Sequence, residues 1–166
     1  MEKYPLEALL SVRQYREELA KRLVRSAETA LREAEQNIEE KKTALENFKI
    51  WRREEEERRY DAIMNVPMPM DKLEAFKASL AMLAAEESMH EEAVMQAEKE
   101  REKRRKELDT AKSSAKTASR NTSKIQAHKD IWKEDAKKET ERKEDLELEE
   151  FRPLSRKGAK AEGEDL

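Results

Sequence analysis

Apolar residues return every seven positions along two stretches of this chain, and a single proline-rich break separates them. In the first stretch Val12, Tyr15, Leu19 and Leu23 recur at steps of three and four. A strict heptad follows, with Val24, Leu31, Ile38 and Leu45 in one column and Ala20, Ala27, Ala34, Lys41 and Phe48 in the other. The second stretch holds its register longer. One column reads Leu73, Leu80, Glu87, Val94, Arg101, Leu108, Ala115, Thr122, Lys129; the other reads Phe76, Leu83, His90, Ala97, Arg104, Ala111, Ala118, Ile125, Trp132. A sustained seven-residue repeat predicts helices that supercoil left-handedly against a partner helix.

The break is Asn65-Val66-Pro67-Met68-Pro69-Met70-Asp71. Proline lacks the N–H that a helix interior needs and clashes with the preceding turn, so helix cannot run through it undisturbed. Two long helices joined by one tight break are expected to fold back on each other. The expected fold is therefore all-α: a long antiparallel two-stranded coiled-coil hairpin spanning residues 1–152, with helices near 5–64 and 71–152 and a turn at 65–71. A parallel dimer of extended rods is the rival. Pro5 suits the first turn of the first helix, and Asp71 with Glu74 makes a capping box for the second. Pro153 is expected to stop that helix, leaving residues 153–166, with Gly158 and Gly163, as a disordered charged tail. With the turn centred near residue 68, residue i faces roughly 136 − i, and the second helix overhangs the first around Trp132 to Glu150.

Composition agrees with paired helices more than with a compact domain. The chain has 166 residues, 45% of them charged and 5% aromatic, with only two glycines, too few for the loops of a globular core. It has no cysteine, hence no disulfide or thiolate metal site. No signal-like N-terminus or long apolar run is present, so neither export nor membrane insertion is expected, and the default compartment is the cytoplasm. The net charge of −3 conceals a polarity. Residues 99–133 hold twelve Lys/Arg against five Asp/Glu, whereas residues 38–98 hold nine against fifteen. That polarity reads equally well as two solvated faces.

Catalytic chemistry finds little to use. Glu87-Ser88-Met89-His90 has the Glu-x-x-His spacing of di-iron bundles, but such a site needs two of these motifs and two further carboxylate helices. A polar interruption of the seam is the better reading. His128 has no triad around it, and there is no glycine-rich phosphate loop. No enzyme activity, cofactor or metal is expected. The basic 99–133 stretch admits a nucleic-acid-binding arm as an alternative, but its interleaved acids and lone aromatic, Trp132, argue against nucleic acid as a partner. A generic coiled-coil scaffold is a third reading. Met64, Val66, Met68, Met70, Leu73 and Phe76 crowd the turn; they form either an adaptable docking patch for a partner protein or a cap on the end of the coil.

The opening segment Leu6-Glu7-Ala8-Leu9-Leu10-Ser11-Val12-Arg13-Gln14-Tyr15-Arg16, the size and the apolar-turn-apolar tip together resemble the YscO/FliJ family of type III secretion stalk proteins, closest to the YscO branch. The likeness covers about residues 3–150. It implies a hairpin rod like the γ rotor of the F1 ATPase and a non-enzymatic central stalk or adaptor. The implied partners are the hexameric secretion ATPase, the export gate protein, and secretion chaperones or the needle-length regulator. The resemblance also implies that the paired ends enter the ATPase ring. On surface chemistry, Arg13, Arg16, Arg120, Lys124 and Trp132 are the candidates for that contact. Trp132 is expected either exposed for binding or packed on Tyr4 and Leu6.

Overall fold

The structure, a computed structural model, describes residues 2–161, and side chains as far as Arg152. It consists of two α-helices, α1 over Glu7–Ile63 (57 residues) and α2 over Met70–Ala161 (92 residues), packed antiparallel as a helical hairpin. No strand occurs among the described residues. Both helices are rich in Glu, Lys, Arg, Ala and Leu, which lose little side-chain freedom in a helix. Their stability comes mainly from the face each buries on the other.

Ends and turn follow local chemistry. Pro5 sits second in a turn closed by the Glu7 N–H donating to the Tyr4 carbonyl at 3.2 Å, and α1 begins there. At its far end Asn65 takes φ 64°, the left-handed conformation that asparagine tolerates better than most residues. The Leu73 N–H donates to the Pro69 carbonyl at 3.1 Å, so Pro69 occupies the N-cap position of α2. The capping role expected of Asp71 is corrected accordingly. Asp71 lies one residue inside the helix, where its charge still favours the dipole.

The expected stop at Pro153 is also corrected, since α2 continues to Ala161. A proline there removes one N–H and frees one carbonyl. On a stretch whose side chains from 137 to 152 are all exposed, water can take that carbonyl. Residues 162–166 of the expected tail lie outside the described residues.

The chain packs as two units. The first joins Met1–Leu19 to Lys116–Leu166. Its core is Tyr4 and Leu10, both buried. Polar bonds extend the seam on either side. The Thr122 hydroxyl donates to the Arg13 carbonyl at 3.2 Å, the Ser119 hydroxyl to Glu17 at 3.2 Å, and Lys129 pairs with Glu7 at 2.8 Å. Val12, Tyr15 and Leu19 do not share this seam. Leu10 is 2% exposed and Tyr15 64%. The heptad that includes Ala20 and Val24 runs back through Glu17, Arg13 and Leu10, and the Val12 stripe falls on a lateral face.

The second unit, Ala20–Ala115, contains the turn. Ala34, Ile38, Leu83, Ala97 and Leu108 are buried here. Ala20, Ala27 and Ala30 face Ala111 across a shallow groove, and small side chains at these positions let the helices approach closely. Closer to the turn the seam carries a polar layer. Arg52 bonds Glu87 across the helices and Glu56 along its own helix at 2.9 Å, while His90 stacks on Phe48 with centroids 4.8 Å apart. The Glu87-x-x-His90 motif is thus engaged in seam contacts.

The phase of the seam predicts unequal mutations in adjacent turns. Leu10→Ala should cost about 2–4 kcal/mol, and Val12→Ala less than about 1 kcal/mol, in chemical denaturation of otherwise identical proteins.

Candidate docking surfaces at the turn and the open end

The turn presents thioethers to solvent. Prolines 67 and 69 keep the connection out of both helices. Met64, Val66 and Met70 are exposed, Met70 at 72%. Met68, Leu73 and Phe76 are half-buried beneath them. Phe76 meets Tyr60 edge-on, with centroids 5.4 Å apart, and the Ser79 hydroxyl donates to the Phe76 carbonyl at 2.7 Å. The six residues singled out from the sequence therefore form two layers, an exposed one of Met64, Val66 and Met70 and a supporting one.

Charge stiffens the helix behind this patch. Glu55 accepts from Arg59 at 3.0 Å and from Arg58 at 2.8 Å, and these two guanidiniums, Arg59 first, hold its carboxyl below the usual carboxylate range. Arg59 also reaches across to the Ser79 carbonyl at 3.4 Å. Hydrogen bonds to Glu56 foremost, with Glu87 adding to them, raise Arg52 above its ordinary value.

At the open end Tyr4 is the organising residue. Its ring meets Trp132 edge-on at 5.5 Å, and its hydroxyl bonds Nδ1 of His128 at 2.5 Å. Trp132 is half-buried against Tyr4. Arg16, Arg120 and Lys124 are exposed. Arg13 is half-buried, and its Nε is shielded from water without a hydrogen-bond partner. It belongs to the seam more than to a free basic surface. Sequence reasoning missed a further feature of this unit, the acidic face of Glu144, Glu147, Leu148 and Phe151 on the overhang. Their spacing of three and four residues was the available signal.

Among the described residues no group of three or more His, Asp or Glu is placed to hold a metal ion, and no helix is long and apolar enough to cross a membrane.

A hairpin of this kind can be compared with known proteins along nearly its whole length. The family model described as type III secretion protein YscO matches residues 6–153. The chain belongs to the YscO family of type III secretion proteins. Two solved structures share its fold. One is described as a YscO homologue, CT670 of Chlamydia trachomatis, with a TM-score of 0.74 and 24% identity, covering 97% of this chain and 99% of that one. The other is the type III secretion protein YscO of Vibrio parahaemolyticus, with a TM-score of 0.81 and 23% identity, covering 88% and 92%. No curated protein matches the sequence. Membership gives the chain a role in type III secretion, with partners within the secretion apparatus.

The Glu55 cluster predicts a sign for acid sensitivity. Its folded carboxyl titrates below the unfolded one, so its stabilising contribution is complete above the ordinary value of 4.5 and is lost as pH falls through the lower, folded value. Melting followed by circular dichroism should fall less steeply below about pH 4.5 in Glu55→Gln than in the wild type.

Proposed function

We propose that this YscO-family chain is a non-enzymatic central stalk and adaptor of a type III secretion ATPase complex. It supports the hexameric ATPase and escorts or recycles export chaperones. It works in the cytoplasm, peripherally associated with the secretion apparatus. The observation that carries the reading is the family match over residues 6–153 together with a hairpin whose turn exposes Met64, Val66 and Met70. Exposed apolar side chains on so polar a chain are costly unless a partner covers them, and flexible thioethers adapt to more than one partner. The export gate protein, chaperones and the needle-length regulator are the partners this patch would serve.

The basic open end is the surface for the ATPase. A ring that grips a helical hairpin must hold it loosely, and screened charge attraction suits that better than deep apolar packing. Arg16, Arg120 and Lys124 supply the exposed charge. Arg13 and Trp132 serve from within, Trp132 by fixing Tyr4 and the start of the chain. The nucleic-acid reading loses support from the ion pairs along 99–133. Arg104 pairs with Glu100 at 2.9 Å and Glu107 at 3.1 Å, and Arg105 with Glu102 at 3.2 Å, so these two arginines already meet acids of their own helix.

Two sets of variants test the two surfaces. Met68→Ser with Met70→Ser should leave helicity and melting nearly unchanged while weakening capture of a gate, chaperone or regulator protein from native lysate. A sharp drop in melting with capture intact would make these residues a cap on the coil. Arg16→Glu, Arg120→Glu and Lys124→Glu together should abolish ATPase binding and spare the partners of the turn. In the wild type that binding should weaken as salt rises from about 50 to about 300 mM, because the screening length shortens across this range. Recovery of RNA without any secretion component would overturn the proposal.

A further inference from the structure

Beside its seam, the second unit carries a further heptad stripe on each helix. On α2, Met82, Glu86, Met89 and Ala93 recur at steps of four, three and four. On α1, Ala44, Asn47, Trp51 and Glu54 recur at three, four and three. Both stripes adjoin the polar layer of the seam. Trp51 and Glu86 each stand one residue before Arg52 and Glu87, which bond across the helices. Reversing one helix of a pair also reverses its winding across the seam, so in an antiparallel pair these preceding positions share one flank. The stacking of His90 on Phe48 fixes the level, with Trp51 beside Glu87 and Ala44 beside Val94, next to Ala93. Met82 is 73% exposed, Met89 68% and Trp51 42%, so the seam leaves this second stripe uncovered.

The charge on this flank has one sign. Glu54 and Glu86 lie within the stripes, Glu57 and Glu92 border them, and all four are exposed. The cation at their edge, Arg58, already donates to Glu55 through two N–H groups, at 3.1 and 2.8 Å. The opposite flank is mixed, with Lys42, Lys49 and Lys77 set among Glu56, Glu91 and Glu98. We propose that the Trp51, Met82, Met89 flank binds an amphipathic helix of a partner protein, apolar along its own heptad and edged with Lys or Arg, as a third helix beside α1 and α2.

Spacing and charge together select this occupant. Steps of three and four match the period of another helix, whereas an extended peptide places its side chains at a period of two. Apolar anchors laid into a groove between helices are a common mode of helix recognition, and thioethers adapt to the anchor they meet. The four carboxylates attract a cationic edge and repel an acidic one, which sets the sign of the partner. Ala44 and Ala93 are small and half-buried, so the flank is low at that end and a bulky anchor fits there. The flank is distinct from the exposed methionines of the turn and from the basic open end, and the inference stands whether or not the stalk reading holds.

The probe is a labelled helical peptide of three heptads, about 21 residues, with Leu at the a and d positions and Lys at e and g. Its twin carries Glu in place of Lys; like charges at e and g keep each peptide from pairing with itself. Fluorescence anisotropy against the full chain should show saturable binding of the Lys peptide, with a dissociation constant on the order of 10 µM, and none of the Glu peptide. Met82→Gln with Met89→Gln should weaken binding at least about tenfold with helicity retained, since glutamine is a good helix former. Met95→Gln, an exposed methionine off the stripe, and Met68→Ser with Met70→Ser at the turn should leave it unchanged. Glu54→Lys with Glu86→Lys should exchange the preference, losing the Lys peptide and gaining the Glu peptide. A Lys peptide that does not saturate by about 300 µM overturns the proposal. Binding that ignores the Met82 and Met89 changes, or a Glu peptide that binds the wild type equally, overturns it as well. Sedimentation of the chain alone supplies the last outcome: a dimer that Met82→Gln with Met89→Gln dissolves would make a second copy the occupant, against the proposal.

Discussion

The heptad phase of the seam is the constraint on which everything else in this hairpin depends. Two long helices can stay in contact over many turns only if the contact residues recur every seven positions. Once Ile38, Leu83, Ala97 and Leu108 are committed to that seam, every other position is assigned to a flank or to water. The phase persists where the seam turns polar. Leu10 is held in it by burial, and Arg13 and Glu17 by the bonds from Thr122 and Ser119, although Val12, Tyr15 and Leu19 are the more apolar residues nearby. Continuity with the neighbouring heptads outweighs the local gain from burying a larger stripe. What the seam excludes then becomes surface available to partners.

The same logic explains the ends. At the turn, a left-handed Asn65 and two prolines terminate one helix and start the next within a few residues, which leaves no seam into which Met64, Val66 or Met70 could pack. At the open end the Tyr4, His128 and Trp132 cluster closes the paired region, and α2 continues without a partner beyond it. Two of the proposed docking surfaces lie at these ends.

Much of the fold was legible in the sequence because the heptad repeats itself. The α2 columns from Leu73 to Trp132 and the facing rule of 136 − i emerge in the contacts of each unit. Tyr4 meets Trp132, Glu7 meets Lys129, Glu17 meets Ser119 and Tyr60 meets Phe76. The misreadings share a cause, which is that local chemistry was weighed ahead of that phase. Val12, Tyr15, Leu19 and Leu23 look like a core stripe in isolation, and only the heptad extended backwards from Ala20 and Val24 reveals Arg13 and Glu17 as the seam. Asp71 looks like a cap, but Pro69 already supplies the first accepting carbonyl. Pro153 looks like a stop, but an exposed helix absorbs it. Of the candidate surfaces, the exposed methionines were legible from an apolar cluster at a turn. The half-burial of Arg13 was not, because it depends on the pairing of the two helices near the chain's beginning; for Trp132, packing on Tyr4 was one of the two alternatives expected.

The most direct test of this account is the phase itself, and a chain without cysteine is suited to it. Disulfide formation tolerates only short and well-directed separations between two cysteines. In the pair Arg13→Cys with Thr122→Cys, mild oxidation should give a bond within one chain. The pair Tyr15→Cys with Thr122→Cys should remain reduced under the same conditions. The mass of the oxidised products on a denaturing gel, run without reductant, reads both outcomes. An intrachain bond at 15–122 in place of 13–122, or bonds formed only between chains, would contradict the seam from which the exposed surfaces are derived.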